Sequence, residues 1–134
     1  MERIKGEAET PPAHVFIVED DQLLALALSA QVETMGYRVA GTAATAEEAI
    51  RGVLQARPQL VIMDMQLTGW ASGLDAARSI RRDLEVPILF YTAHGNDHVL
   101  KHEVATMGRA QLLSKPAQEH ALMKAISGVL GGAR

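Results

Sequence analysis

Three short, almost wholly apolar runs constrain this chain more than any other feature. They are residues 15–18 (VFIV), 60–63 (LVIM) and 88–91 (ILFY). Each is too short for a buried helix and lacks the polar alternation of a strand with one wet face. Such runs suit strands covered on both sides, as in a parallel sheet. Two weaker runs, residues 37–42 and 111–114, carry more polar groups and suit sheet edges. Helical spacing fills the intervals. Ala46, Ala49, Ile50, Val53 and Leu54 share one helix face, as do Ala76, Ala77, Ile80 and Leu84. Leu122, Ala125, Ile126, Val129 and Leu130 form a third such stripe. Thr45 with Glu48 reads as a capping box. Gly36 and Gly108 follow helical stretches, where a left-handed cap is usual, and Pro58 and Pro87 open strands.

The order is strand then helix, five times over. It predicts an α/β fold, a doubly wound five-stranded parallel sheet with helices on both faces. Placing the apolar runs centrally and the polar ones at the edges gives the flavodoxin-like order 2-1-3-4-5. Ligands of such sheets bind outside the carboxyl ends of the strands, where strands 1 and 3 diverge. At 134 residues the chain is one domain, long enough to bury about two-thirds of its unfolded surface. With no cysteine, disulfides, thiol catalysis, iron–sulfur clusters and Cys-ligated zinc are excluded. The net charge of −3 and the lack of a basic cluster give no nucleic-acid footprint. No apolar run approaches the roughly 20 residues of a membrane span. Residues 1–13 are polar, end in Pro11-Pro12 and lack the apolar core of a secretion signal. They are expected to form a flexible lead-in to a single domain over 14–131 in a cytoplasmic protein.

The predicted carboxyl ends carry an unusual set of side chains. Strand 1 runs into Glu19-Asp20-Asp21, strand 3 into Asp64, strand 4 into Thr92 and strand 5 into Ser114-Lys115-Pro116. Converging carboxylates raise one another's pKa and call for a compensating positive charge. Lys115 is one source and a hard divalent cation the other. Glu19, Asp20, Asp64 and the backbone carbonyl of Gln66 are oxygen donors of the kind Mg²⁺ takes. Asp20 and Asp21 equally suit the N-cap of the first helix, and Lys115 and Thr92 are each ordinary alone. Their coincidence at four strand ends is not. Neither G-x-x-x-x-G-K-[ST] nor G-x-G-x-x-G occurs, and Gly69 and Gly73 around Trp70-Ala71-Ser72 match no phosphate loop. A carboxylate can itself accept a phosphoryl group. That transfer needs positioning and charge neutralisation more than covalent machinery.

These residues resemble the receiver domain of two-component response regulators. The matching pieces are Val18-Glu19-Asp20-Asp21, Leu60 to Met65, Tyr91-Thr92-Ala93-His94 and Ser114-Lys115-Pro116, in the family's order. The likeness spans about residues 13–130. It implies that Asp64 is the phosphoacceptor and that Glu19, Asp20, Asp64 and Gln66 hold Mg²⁺. It implies a catalytic set of Asp64, Thr92 and Lys115, with Thr92 as the switch hydroxyl and Lys115 pairing with a phosphoryl oxygen. It implies a cis bond before Pro116. The donor would be a phosphohistidine on a histidine kinase or a histidine phosphotransfer protein. The response would pass to the face of the fourth helix, fifth strand and fifth helix. The domain would also catalyse loss of its own phosphate, with Gln66 and His94 flanking the site and tuning that lifetime.

Several positions depart from the family pattern. Receivers often carry Tyr or Phe three residues before the lysine, where this chain has Leu112. The usual Met-Pro pair after the phosphoacceptor is missing, and the expected glycine comes one residue late, as Gly73. A longer or differently shaped loop is expected, with Trp70 over the site, at a partner surface or simply half exposed. The first helix is apolar nearly all round. Leu24, Leu28, Val32 and Met35 are expected to face the core, leaving Leu23, Leu26, Ala27 and Ala30 as an exposed stripe for a kinase. His98, Lys101, His102, Arg109 and Lys124 read as a solvated basic face. With no DNA-binding segment among these residues, output is expected through a downstream protein or through phosphate flow, without direct contact to nucleic acid or membrane. A stand-alone, single-domain receiver is the expectation, and a receiver excised from a longer chain fits the sequence equally. The rival readings are a receiver-like interaction module that is never phosphorylated, and a small hydrolase using Asp64 as nucleophile.

Overall fold

Residues alternating along a buried strand point to opposite faces, so each apolar run here feeds two cores at once. The computed structural model describes residues 12–69 and 71–131. Its strands are β1 (His14–Val18), β2 (Arg38–Ala43), β3 (Leu60–Met63), β4 (Ile88–Thr92) and β5 (Ala110–Ser114). They alternate with α1 (Gln22–Thr34), α2 (Ala46–Ala56), α3 (Gly73–Asp83), α4 (His98–Met107) and α5 (Glu119–Gly131). The sheet is parallel throughout, in the expected order β2-β1-β3-β4-β5. Phe16, Val18, Val61, Met63, Ile88 and Phe90 face one core with Ala49, Val53, Ala77, Ile80 and Val104 from α2, α3 and α4. Val15, Ile17, Leu60, Ile62 and Leu89 face the other with Leu28 and Val32 of α1 and Leu122, Ile126 and Val129 of α5. Most of the polar lead-in, residues 1–11, lies outside the described residues, as does Trp70.

One expected core position is wrong. Leu24 is 48% exposed. It sits in the first turn of α1, on the rim of an open groove that it lines with Glu19, Tyr91, Ala93, Lys115 and Pro116. Leu28 and Val32 are buried and Met35 packs partly against the same core.

Helix ends follow local chemistry. Asp21 is the N-cap of α1, accepting from the backbone N–H groups of Leu23 and Leu24. Thr45 caps α2 through Glu48 N–H, but the Glu48 carboxylate returns to the N–H of Ala44 rather than of Thr45. α2 ends on Arg57 in the left-handed region (φ 50°, ψ 60°), just before Pro58. At the far end of α3, the Arg81 guanidinium donates to the carbonyls of Val86 and Arg109, and Arg78 pairs with Glu103, tying α3 to α4.

Phe16 is wedged between two glycines. The β1–β2 register shifts between Val15 and Phe16, setting Phe16 beside Gly41. A Cβ on Gly41 or on Gly52 of α2 would lie 2.8 or 2.6 Å from the ring. An alanine in a helix interior normally gains about 1 kcal/mol over glycine, but overpacking a filled core costs about 1–3 kcal/mol. Gly52→Ala should therefore destabilise the protein, by about 1 kcal/mol, in urea unfolding. The same substitution in a Phe16→Leu background should stabilise it, and a gain from Gly52→Ala alone would contradict the wedge.

Candidate functional site

The pairing of β1 with β3 brings Val18 opposite Met63. The next residue on each strand is a carboxylate, Glu19 and Asp64. Their backbones stay in the ladder: Glu19 N–H donates to Ala43 C=O at 2.9 Å and Asp64 N–H to Val18 C=O at 3.0 Å. Carboxylate oxygens of Glu19, Asp20 and Asp64 lie within 4.8 Å of one another. Asp21, the fourth acidic residue of the sequence reading, is spent on the helix cap.

Lys115 supplies the opposing charge. It follows β5, and its N–H donates to Thr92 C=O at 2.8 Å. Its Nζ reaches past β4 to Glu19 Oε1 at 2.6 Å and Asp64 Oδ2 at 3.1 Å. Glu19 is only 5% exposed, and its Oε2 accepts from Asp21 N–H at 3.1 Å. Burial raises the Glu19 pKa above its ordinary value, although Lys115 and the Asp21 N–H pull it down. Burial alone would lower the pKa of Lys115, but its bonds to Glu19 and Asp64 outweigh that and raise it. Lys115 thus stays an ammonium.

The rest of the rim comes from loops. Thr92 is fully buried at the end of β4, and its Oγ1 accepts from His94 N–H at 3.2 Å. Gln66 N–H donates to Asp64 Oδ1 at 3.3 Å. Thr68 Oγ1 donates to Asp20 Oδ2 at 2.9 Å, and the Thr68 backbone pairs with Thr45 in an isolated parallel bridge. The Lys115–Pro116 peptide is cis. Beyond it Ala117 N–H donates to the Tyr91 hydroxyl at 3.0 Å, and Lys115 Nζ stands 5.7 Å from the Tyr91 ring centre. The late glycine has a steric reason: a Cβ on Gly73 would lie 1.9 Å from the Asp64 carbonyl oxygen. The structure therefore brings Glu19, Asp20, Asp64 and Lys115 into one cluster, with Gln66, Thr92 and His94 around it.

The model of the response regulator receiver domain family matches residues 15–127. The chain belongs to that family. Curated relatives of this receiver include the phyllosphere-induced regulator PhyR of Methylorubrum extorquens, 41% identical over 60% of this chain and 30% of the relative. The transcriptional regulatory protein AfsQ1 of Streptomyces coelicolor is 33% identical over 87% of this chain and 50% of its own length. The chain thus spans half or less of either relative. Among solved structures, the PhyR receiver domain of Erythrobacter litoralis superposes with a TM-score of 0.75 at 34% identity, covering 90% of this chain and 91% of that one. The anti-anti-sigma factor PhyR of Bartonella quintana superposes with a TM-score of 0.73 at 30% identity, over 92% of this chain and 50% of that one. Among the described residues, no helix of the receiver is long and apolar enough to cross a membrane.

Three contributors escaped the sequence reading. Ser72 and Asp75 form a reciprocal capping box that starts α3 directly behind Asp64; their spacing was a legible signal. Tyr91 belongs to the strand and to the Tyr91-Thr92-Ala93-His94 match, but its hydrogen bond to Ala117 has no sequence signal. The Thr68–Asp20 bond joins residues 48 positions apart and leaves no sequence trace. On the outside of the receiver, Leu23 and Leu26 of α1 are 75% and 68% exposed, beside the site. His98, Lys101, His102, Arg109 and Lys124 are exposed, as expected of a solvated face.

The Ser72 backbone N–H, then its hydroxyl, hold the Asp75 carboxyl below its usual pKa. A depressed folded-state pKa adds stability that is present above the unfolded value near about 3.9 and lost as pH falls through the folded value. Asp75→Asn should therefore lower stability at pH 7, and the gap from wild type should close as the medium is acidified below about pH 4. Urea unfolding across a pH series checks this; a gap independent of pH would show that the carboxylate charge plays no part.

Proposed function

We propose that Asp64 accepts a phosphoryl group from a phosphohistidine of a histidine kinase or histidine phosphotransfer protein. The reading rests on one observation above all: the Lys115 ammonium, shared between Glu19 and Asp64 inside a cluster of three carboxylates. In the transfer, an oxygen of the Asp64 carboxylate forms a bond to phosphorus as the P–N bond of the donor breaks. The electron pair stays with the leaving imidazole. Lys115 is placed to pair with a phosphoryl oxygen, and its raised pKa keeps it charged across the physiological range. The Thr92 hydroxyl, fully buried one strand away, is the group proposed to turn toward the new phosphoryl oxygens.

The donor set also fits a hard cation, since carboxylate oxygens of Glu19, Asp20 and Asp64 converge within 4.8 Å. Asp20 and Asp64, with the Gln66 carbonyl and Glu19, would hold Mg²⁺, which when bound supplies neutralisation of carboxylate and phosphoryl charge. Glu19 already serves Lys115 and the Asp21 N–H, which favours Asp20 and Asp64 as the direct ligands.

Loss of the phosphoryl group by hydrolysis is the reverse half of the cycle. Gln66 and His94 are exposed, with backbone N–H groups bonded to Asp64 and Thr92, and their side chains are proposed to set that lifetime. Output is proposed through protein contact at α4, β5 and α5, in a cytoplasmic protein. The relation to PhyR proteins, one of them named an anti-anti-sigma factor, supports output by protein contact rather than by direct DNA binding.

Intact-mass spectrometry after incubation with a small phosphodonor tests the core of this reading. Wild type should gain a phosphate adduct that requires Mg²⁺, disappears with chelator and is missing in Asp64→Asn. A wild type that stays unmodified beside a working control receiver would favour the interaction module instead. Turnover of a phosphate ester without a stable dependence on a phosphohistidine donor would favour the hydrolase.

The exposed apolar stripe of α1 adjoins the site and is proposed to dock the phosphohistidine-bearing helices of the kinase. Changing Leu23 and Leu26 together to Ser should slow transfer from a kinase at least about tenfold, as loss of two buried anchors would, while a small phosphodonor reacts at the wild-type rate. Equal loss with both donors would refute docking at this helix.

A further inference from the structure

We propose that Thr68 is a positioning residue for the cation site: it fixes Asp20 and the Gln66 loop relative to each other and so sets the affinity for Mg²⁺. The proposal rests on the reading of the acidic cluster as a Mg²⁺ site. Three clustered carboxylates repel one another, and a carboxylate on the rim relieves that repulsion by swinging into water. Glu19 and Asp64 are restrained by Lys115. Asp20 has no such tie. Among the described residues its side-chain partner is the Thr68 hydroxyl, at 2.9 Å on Oδ2. That bond leaves Oδ1 for a cation.

The donor is itself anchored. Thr68 pairs through its backbone with Thr45, and Thr45 is the N-cap of α2. The hydroxyl is thus carried by the frame of the fold rather than by a loose loop. Gln66, whose N–H meets Asp64 Oδ1, lies two residues before it. One residue therefore registers the loop through its backbone and Asp20 through its side chain. Partners that orient metal ligands typically contribute about 10–100-fold to affinity. Thr68 is exposed, so its share should fall below that range.

The test is isothermal titration of the full chain with MgCl₂, without phosphodonor, for wild type, Thr68→Val and Thr68→Ser. Thr68→Val keeps the shape and removes the hydroxyl, and should raise Kd about fivefold. Thr68→Ser keeps the hydroxyl and should bind within about twofold of wild type. With a small phosphodonor, the Mg²⁺ concentration for half-maximal phosphorylation should rise by the same factor in Thr68→Val, while the rate at saturating Mg²⁺ is unchanged. A purely structural role would instead lower stability in chelator and reduce the saturating rate. Thr68→Ala repeats the measurement should Thr68→Val fold poorly. Equal Kd for wild type and both hydroxyl-free variants would overturn the proposal, as would failure of Thr68→Ser to restore binding. A wild type that binds no Mg²⁺ would overturn the metal-site reading itself, and this proposal with it.

Discussion

A single ammonium makes this arrangement of strands tenable. Parallel pairing of β1 with β3 forces Glu19 and Asp64 to emerge side by side, and Asp20 follows at once. Left alone, these charges would oppose formation of the central ladder. Lys115 reaches them from the end of β5 and bonds both Glu19 and Asp64. The contact thus spans four of the five strands, from β1 to β5, and links the switch point to the far edge of the sheet. It also bears on why both pKa values at the site rise, each for its own cause. Burial disfavours charge on Glu19 and on Lys115 alike, yet for Lys115 two carboxylate neighbours outweigh it. The residual negative charge is what would make the site receptive to a cation, and the ammonium is what a phosphoryl group would meet.

Much of this was legible in the sequence, for a physical reason. A strand buried on both faces must be apolar at every position, so residues 15–18, 60–63 and 88–91 announced both their conformation and their central place. The strand order and the cluster of Glu19, Asp20, Asp64 and Lys115 followed from that topology, because residues ending parallel strands share one edge of the sheet. What the pattern did not carry was anything set by loops. By sequence Asp21 suits the acidic cluster or the helix cap equally, and the structure assigns it to the cap. Leu24 fits the apolar stripe of α1 by spacing, but periodicity says nothing about the open groove it borders. Thr68 meets Asp20 only because the loop after β3 is pinned to Thr45. No local propensity encodes that approach.

The glycine that follows the same loop shows how geometry and sequence trade places. Gly73 begins α3 and brings its backbone against the Asp64 carbonyl, where any Cβ would collide. Its N–H donates to Met65 C=O at 2.8 Å. Ser72 and Asp75 then start the helix at that spot by reciprocal capping. The glycine is therefore a contact requirement of the Asp64 backbone. Its displacement by one residue records the path of the Gln66–Gly69 segment rather than a defect in the motif.

Leu112 raises the question of how such a site reaches the surface without an aromatic at that place. Leu112 pairs with Phe90 across β4 and β5, and both face the side of the sheet covered by α2, α3 and α4. Phe90 is completely buried there, so a large ring already fills the core on this face, from the neighbouring strand. Thr92 shares that face because it lies two residues beyond Phe90. Tyr91, between them, necessarily faces the other way, toward α1 and α5. Its hydroxyl holds the Ala117 N–H at the entrance to α5, and its ring stands beside the Lys115 ammonium. Lys115 and its backbone thus touch both neighbours: Thr92 through the ladder, Tyr91 through the ammonium. A change in charge at Asp64 that moved Lys115 would be felt on both faces of the sheet, and on the α1–α5 side it would act through a tyrosine that is already hydrogen-bonded to the loop it would move.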